Sequence, residues 1–263
     1  MRVSIIVPAH NAGEFIGRCL LSIVTQTHTD WECIVVDDCS TDDTFKRVVE
    51  IIDGNPHFSV LGLERNMGVA AARNSGLACV DRRSDAVCFV DADDWCEPDM
   101  LEVMVAEATA NPTAGRIVTQ AKVHYPSGLV DLWLINPLGF YPTDSTHPFS
   151  GPKCDMGHVT GCLYVLRNIP FEPKFPKVAL YEDMIFNMGL LLARVPVFVS
   201  RRSVYHYRRR EGSLIASAPF SKADAIKCRA ALGYLAALYE ADEQMAARFA
   251  AFLESAMKGR IRP

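Results

Sequence analysis

The chain has 263 residues, 49% hydrophobic and 22% charged, a globular composition with enough apolar material for a core and no need of disulfide or metal staples. Its 27 lysines and arginines against 31 aspartates and glutamates leave a formal net charge of −4, which removes any global electrostatic reason to bind nucleic acid. The nine cysteines include no C-x-x-C, and most sit in apolar runs such as Val87-Cys88-Phe89-Val90; with no stretch near the ~18 apolar residues of a membrane span, this reads as a reduced, cytoplasmic protein.

The first half alternates short β-branched runs with helical patterns, which predicts an α/β fold with a mostly parallel, Rossmann-like sheet and helices on both faces. Residues 3–7 form the first strand. Asn11 is the expected N-cap of a helix whose apolar positions Phe15, Ile16, Cys19, Leu20, Ile23 and Val24 recur at helical spacing. A second strand follows at 33–36. Ser40 and Asp43 form a capping-box-like start to a helix with a buried stripe of Phe45, Val48, Val49 and Ile52. Strands at 58–63 and 86–90 flank a helix at 69–80, and Pro98 opens a further helix towards Asn111-Pro112.

Residues 116–134 read as two strands around the Tyr125-Pro126-Ser127-Gly128 turn, followed by a long aperiodic loop at 135–158. A helix at 182–193, a strand at 197–199 and a basic stretch at 201–210 come next. From Ser221 two alanine-rich helical patterns run to about residue 258, a C-terminal helical extension whose apolar positions are Ile226, Leu235, Leu238, Phe249, Phe252 and Met257.

Ligands of open α/β sheets bind outside the carboxyl ends of the strands, so the residues there come under functional suspicion first. The first strand ends in Pro8-Ala9-His10-Asn11, the second in Asp37-Asp38 and the fourth in Asp91-Ala92-Asp93-Asp94, while Arg73 lies on the helix after the third. Adjacent carboxylates repel unless a cation holds them, and hard oxygen donors too few for a closed cage suit Mg²⁺ or Mn²⁺ shared with phosphate oxygens. Either acidic cluster could instead be a solvated helix-entry turn. A response-regulator receiver would put acids after the first strand and leave about half the chain over. A dinucleotide-dependent dehydrogenase would need G-x-G-x-x-G where Pro8-Ala9-His10-Asn11-Ala12-Gly13 stands.

Four motifs taken together, Val3-Ser4-Ile5-Ile6-Val7-Pro8-Ala9-His10-Asn11, Val35-Val36-Asp37-Asp38-Cys39-Ser40-Thr41-Asp42, Asn66-Met67-Gly68-Val69-Ala70-Ala71-Ala72-Arg73-Asn74-Ser75-Gly76 and Asp91-Ala92-Asp93-Asp94, resemble glycosyltransferase family 2 in order and spacing. The resemblance implies a GT-A fold, a nucleoside-diphosphate sugar donor (UDP favoured), a divalent metal, inversion at the anomeric carbon, and a glycan or lipid-linked acceptor in surface polysaccharide synthesis. It divides the chain into a catalytic domain at 1–215, with a nucleotide-sugar half at 1–110 and an acceptor half at 111–215, and the extension at 216–263. Cys39 departs from the family's usual Gly or Asn without displacing the carboxylates.

Carried residue by residue, the likeness implies nucleotide-sugar contacts from Pro8, Ala9, His10, Asn11, Asp38, Arg73, Asp91, Ala92 and Asp93. The likeness also implies that Asp93 or Asp94 takes the metal and that His206 reaches the metal or the diphosphate. Tyr181-Glu182-Asp183-Met184-Ile185-Phe186 is similar to the family's base-bearing helix start, which makes Asp183 the general base and Glu182 an acceptor contact. The segment from His206 to Ser213 resembles a flexible diphosphate-binding loop, with Arg208, Arg210 and Ser213 on the phosphates. Trp95 is a candidate sugar-stacking residue, and the C-terminal helices are expected to pack on the catalytic domain, on a second subunit or against a membrane surface. A catalytically silent sugar-nucleotide or glycan-binding module of the same fold is the alternative.

Overall fold

The computed structural model describes residues 1–133, 139–141, 158–178, 180–210, 221–240 and 243–257. Four short runs, β1 (Val3–Ala9), β2 (Trp31–Asp37), β3 (Phe58–Gly62) and β4 (Ala86–Phe89), lie parallel in the order β3-β2-β1-β4, with helices as crossovers. The valines, isoleucines and cysteines of β1, β2 and β4 are buried on both faces, as strands inside an α/β layer must be, while β3 at the edge is only partly covered.

Helix α1 (Ile16–Val24) follows β1, α2 (Thr44–Ile52) follows β2 and α3 (Val69–Ala78) follows β3. The α3 backbone comes so near β1 that a Cβ on Gly76 would stand 2.5 Å from Ile6 Cγ2, so this position has no room for a side chain.

Beyond β4 the sheet turns mixed. β5 (Trp95–Cys96) follows directly and α4 (Met100–Ala110) after it; then come β6 (Arg116–His124), β7 (Val130–Trp133), β8 (Gly139–Tyr141), β9 (Cys162–Val165) and, after α5 (Glu182–Leu192), β10 (Val197–Arg208). β9 runs antiparallel to both β4 and β6, β10 is parallel to β6, and β5 crosses to the far edge to pair antiparallel with β10. The turn at 125–128 joins β6 and β7 as expected, closed by Tyr125 N–H to Leu129 O and Gly128 N–H to Tyr125 O. Helices α6 (Lys222–Leu238) and α7 (Glu243–Met257) stack on α5 through Ala225, Cys228, Leu232, Phe249, Leu253 and Met257. α6 opens with the Ser221–Asp224 capping box.

Several expectations are corrected. Asn11 is not a helix N-cap: α1 begins at Ile16, and the Asn11 side chain accepts from Thr41 N–H instead. Ser40 and Asp43 form no capping box, because Ser40 donates back to Asp37 while Asp42 takes the Thr44 amide and hydroxyl. α2 packs along α1 and the edge strand rather than flat on the sheet, so Thr44 and Val48 are buried while Phe45 and Val49 stay 43% and 42% exposed. β9 was not anticipated, and the interval read as loop contains β8. The basic stretch after 200 continues β10 through register shifts between Val199 and Tyr205, which turn Arg201 and Arg202 outward and keep Val204, Tyr205 and His206 inside. In the C-terminal helices Ile226 and Leu238 are exposed, at 62% and 52%. Among the described residues no helix is long and apolar enough to cross a membrane.

Candidate active site

The acidic turn after β4 is held from several sides. The Tyr205 hydroxyl of β10 accepts from Asp91 N–H at 3.2 Å and donates to Asp94 Oδ2 at 2.7 Å, while Arg208 N–H donates to Asp94 Oδ1 at 2.7 Å. From the α1 side, the Cys19 thiol reaches the Asp91 carbonyl at 3.6 Å. Asp94, 1% exposed, is therefore a bracket beneath the turn, and both its oxygens are taken up inside the protein. Burial, then the charges of Asp91 and Asp93, push its pKa well above the carboxylate range. Asp93 shifts the same way for the same causes, opposed by Arg210, whose Nε stands 2.8 Å from Asp93 Oδ2.

Arg73, expected at the nucleotide, is instead 4% exposed and spans two carboxylates: Nη1 donates to Glu182 Oε1 at 2.7 Å and Nη2 to Asp91 Oδ1 at 2.9 Å. Burial alone would lower its pKa; Asp91, Glu182 and Asp183 outweigh that and hold it above its ordinary value. Glu182 is thereby a buried partner of Arg73, not an exposed acceptor contact. The next residue on the chain, Asn74, grips the Phe175 backbone from both its amide and its carbonyl, and the Phe175 ring lies under the Arg73 guanidinium. Tyr181, with φ 67°, turns the chain into α5, so that Glu182 points inward and Asp183 stays half-buried beside it.

At the β1–β2 end, both Asp38 oxygens accept backbone N–H groups, from Met67 and Gly68, each at 2.7 Å, so Asp38 shapes the loop before α3 rather than offering a free carboxylate. Gly68, at φ 86°, permits that loop to present its amide. Exposed His10 bridges the two loops, its Nδ1 on the Asp38 carbonyl at 2.8 Å and its Nε2 on Asn66 at 2.9 Å, which selects the tautomer with hydrogen on Nδ1. Pro8 and Ala9 are buried inside β1, and Ala92 is buried in the acidic turn.

Trp95 is 8% exposed and already packed within the protein: His206 stacks on it at 4.9 Å and the Arg18 guanidinium carbon lies 3.4 Å from its ring centroid. Both His206 nitrogens are engaged, with His124 at 2.8 Å and Glu97 at 2.9 Å, and burial, partly opposed by Glu97, lowers its pKa. Both His206 nitrogens and both Asp94 oxygens are thus taken up by protein partners, whereas Asp93 and Asp91 pair with the arginines Arg210 and Arg73. Arg208 leans on the turn through Nε to Asp93 O, and Ser213 lies outside the described residues. The residues that pattern reading passed over are Phe15, Arg18, Glu97, His124, Phe175 and Tyr205. Only Tyr205 had a usable signal, its two-residue spacing from Tyr207 within an extended run.

The family model described as Glycosyl transferase family 2 matches residues 4–158. The chain is 43% identical over 216 residues to the putative teichuronic acid biosynthesis glycosyltransferase TuaG of Bacillus subtilis, covering 81% of each. The chain belongs to glycosyltransferase family 2. Glycosyltransferase GlyA of Streptococcus pneumoniae is 28% identical over 228 residues, 81% of this chain but 31% of that longer protein. Residues 1–349 of TarS from S. aureus, crystallised with UDP-GlcNAc, superpose over 100% of this chain and 74% of that one with a TM-score of 0.78 at 22% identity, which gives this glycosyltransferase the GT-A fold.

Two variants probe this geometry. Arg73→Met leaves the buried Glu182 and the partly buried Asp91 without their cation and should lower unfolding stability by about 3 kcal/mol, read by urea denaturation. Asp94→Asn removes the charge, keeps the bond from the Arg208 amide through Oδ1 and reverses the one with Tyr205, whose hydroxyl would accept from Nδ2. Because the Asp94 pKa is raised in the folded state, parent stability is intact below the ordinary carboxylate range and is lost as pH climbs through the raised value. The variant should therefore melt above the parent at pH 8, with the gap closing towards pH 4.

Proposed function

We propose that this glycosyltransferase transfers a sugar from a UDP-sugar to an acceptor hydroxyl with inversion, with Asp183 as general base and a divalent cation at Asp93. The observation that carries the reading is Arg73 joining the first carboxylate of the Asp91-Ala92-Asp93 turn to the first residue of the Glu182-Asp183 pair, so that a donor-side and an acceptor-side acid share one buried cation. TarS crystallised with UDP-GlcNAc supports the donor class, and TuaG, named for teichuronic acid synthesis, supports a polysaccharide acceptor.

In this reading the acceptor oxygen bonds to the anomeric carbon as the bond from that carbon to the diphosphate oxygen breaks on the opposite face, and the hydroxyl proton passes to Asp183. A positioned carboxylate contributes roughly 10²- to 10⁴-fold, about 3 to 5 kcal/mol of barrier. A divalent cation suits the donor set. No group of three His, Cys, Asp or Glu among the described residues encloses an ion by itself, whereas the hard carboxylate of Asp93, its pKa raised by burial and by Asp91, suits Mg²⁺ or Mn²⁺ completed by phosphate oxygens once Arg210 gives way. Bound there, such an ion supplies positive charge to the departing diphosphate. Arg210, now on Asp93, and Arg208 are the chain's own cations at that end.

A thermal-shift panel of UDP, GDP, CDP and dTDP with and without Mn²⁺ should show a metal-dependent shift with UDP. Asp183→Asn should keep that shift while turnover falls by roughly 10²- to 10⁴-fold. Undiminished turnover in the variant would remove the base assignment, and no shift with any nucleotide at saturating Mn²⁺ would remove the donor.

A further inference from the structure

Around the acidic turn each acid has a partner, while two arginines lack a carboxylate paired to their side chains among the described residues. Asp91 is paired with Arg73, Asp93 with Arg210, and Glu97 with Lys122 and His206, while Asp94 is bonded by Tyr205 and the Arg208 amide. Among the described residues neither Arg18 nor Arg208 has a carboxylate within ion-pairing distance, yet they gather on the same indole, their guanidinium carbons 3.4 and 5.1 Å from the Trp95 centroid. Arg208 also lies 5.2 Å from the Phe15 ring. The mutual repulsion registers on Arg18, whose pKa is lowered by burial and then by Arg208.

Two like-charged forks held on one ring, Arg18 exposed and Arg208 half-buried, repel each other, and that repulsion is relieved when an anion arrives between them. Planar guanidinium donors match phosphate oxygens two at a time. Position narrows the choice of anion. Cys19, next to Arg18, touches the Asp91 carbonyl, so the first turn of α1 runs along the acidic turn. Contacts then proceed in one order, from Glu182 through Arg73 to Asp91, and from Asp93 and Asp94 through Arg208 and Trp95 to Arg18. The base-bearing helix stands at one end of this contact series and the arginine pair at the other, next to the aspartates that the donor reading gives to the metal and the diphosphate.

We propose that Arg18, braced on Trp95, acts with Arg208 as a receptor for the diphosphate of the departing nucleotide. This rests on the donor reading above and adds a residue from α1 to it. Trp95 and Phe15 then serve as platforms that fix the guanidinium planes, and the charge that develops on the diphosphate as the sugar leaves is met by donors already in position.

Calorimetry on the full chain tests this with UDP, UMP and uridine in the presence of Mn²⁺. Arg18→Gln should weaken UDP by about tenfold, the scale of one lost charge-assisted contact, and UMP by less than twofold. Arg18→Lys, which keeps the charge without the fork, should fall between and serves if the first variant does not fold. UDP affinity unchanged in both variants, with a raised acceptor KM, would reassign the pair to an anionic group on the acceptor and overturn the proposal. Equal losses for UDP and UMP together with a lowered melting temperature would make Arg18 a prop for Trp95 and overturn it as well. A parent protein that binds none of the nucleotides would strike the donor reading itself, an outcome separable from failure of the variant alone.

Discussion

One buried cation organises this molecule. Arg73 reaches from α3 to the loop after β4 and to the first residue of α5, three elements far apart in sequence, and satisfies a carboxylate from each of the last two. Taking a guanidinium out of water costs several kcal/mol, and two carboxylates in place return that only if they are held still. The surrounding structure does the holding. Asn74 fixes the Phe175 segment below the guanidinium, and Gly76 lets α3 lie directly on β1. Any shift of α5 relative to the sheet would therefore strand a charge, so the position of Asp183 is set by an electrostatic penalty rather than by the local preferences of its own helix.

The acidic turn illustrates how far pattern carries and where it stops. An apolar strand running into Asp91-Ala92-Asp93-Asp94 is enough to single out the turn, because an α/β sheet leaves its strand ends open to ligands. It is not enough to distribute roles among neighbouring aspartates, since which one faces inward depends on Tyr205 and the Arg208 amide, more than a hundred residues away. Asp38 follows the same logic: its place after β2 marks it, but the two amides that consume its oxygens come from the loop before α3. Trp95, Glu182 and His206 drew attention as functional types, and long-range partners make them structural supports.

The parallel half was legible for the reason that local signals agree there, with buried β-branched strands, helical periods and breakers in strict alternation. In the second half they do not. Cys162–Val165 is only four residues, short for a strand to announce itself, and becomes one by inserting between β4 and β6. The arginines of β10 suggest a solvated loop, yet the strand persists because its register shifts at a bulge turn Arg201 and Arg202 to solvent while Tyr205 and His206 face in. Arg18 is the extreme case. Its helix was legible as an amphipathic element, and nothing in that pattern separates a solvent-facing arginine from one laid across a tryptophan.

The path of β5 has a mechanical consequence. A strand from the chain's first half closes the far edge of the sheet against β10, while β9, from its second half, is wedged beside β4. The described strands of the two halves are thus interleaved like clasped fingers within one hydrogen-bonded layer, which ties the halves together against rotation as rigid bodies. Enclosure of a substrate must fall to segments that leave the layer, while the layer itself behaves as an anvil.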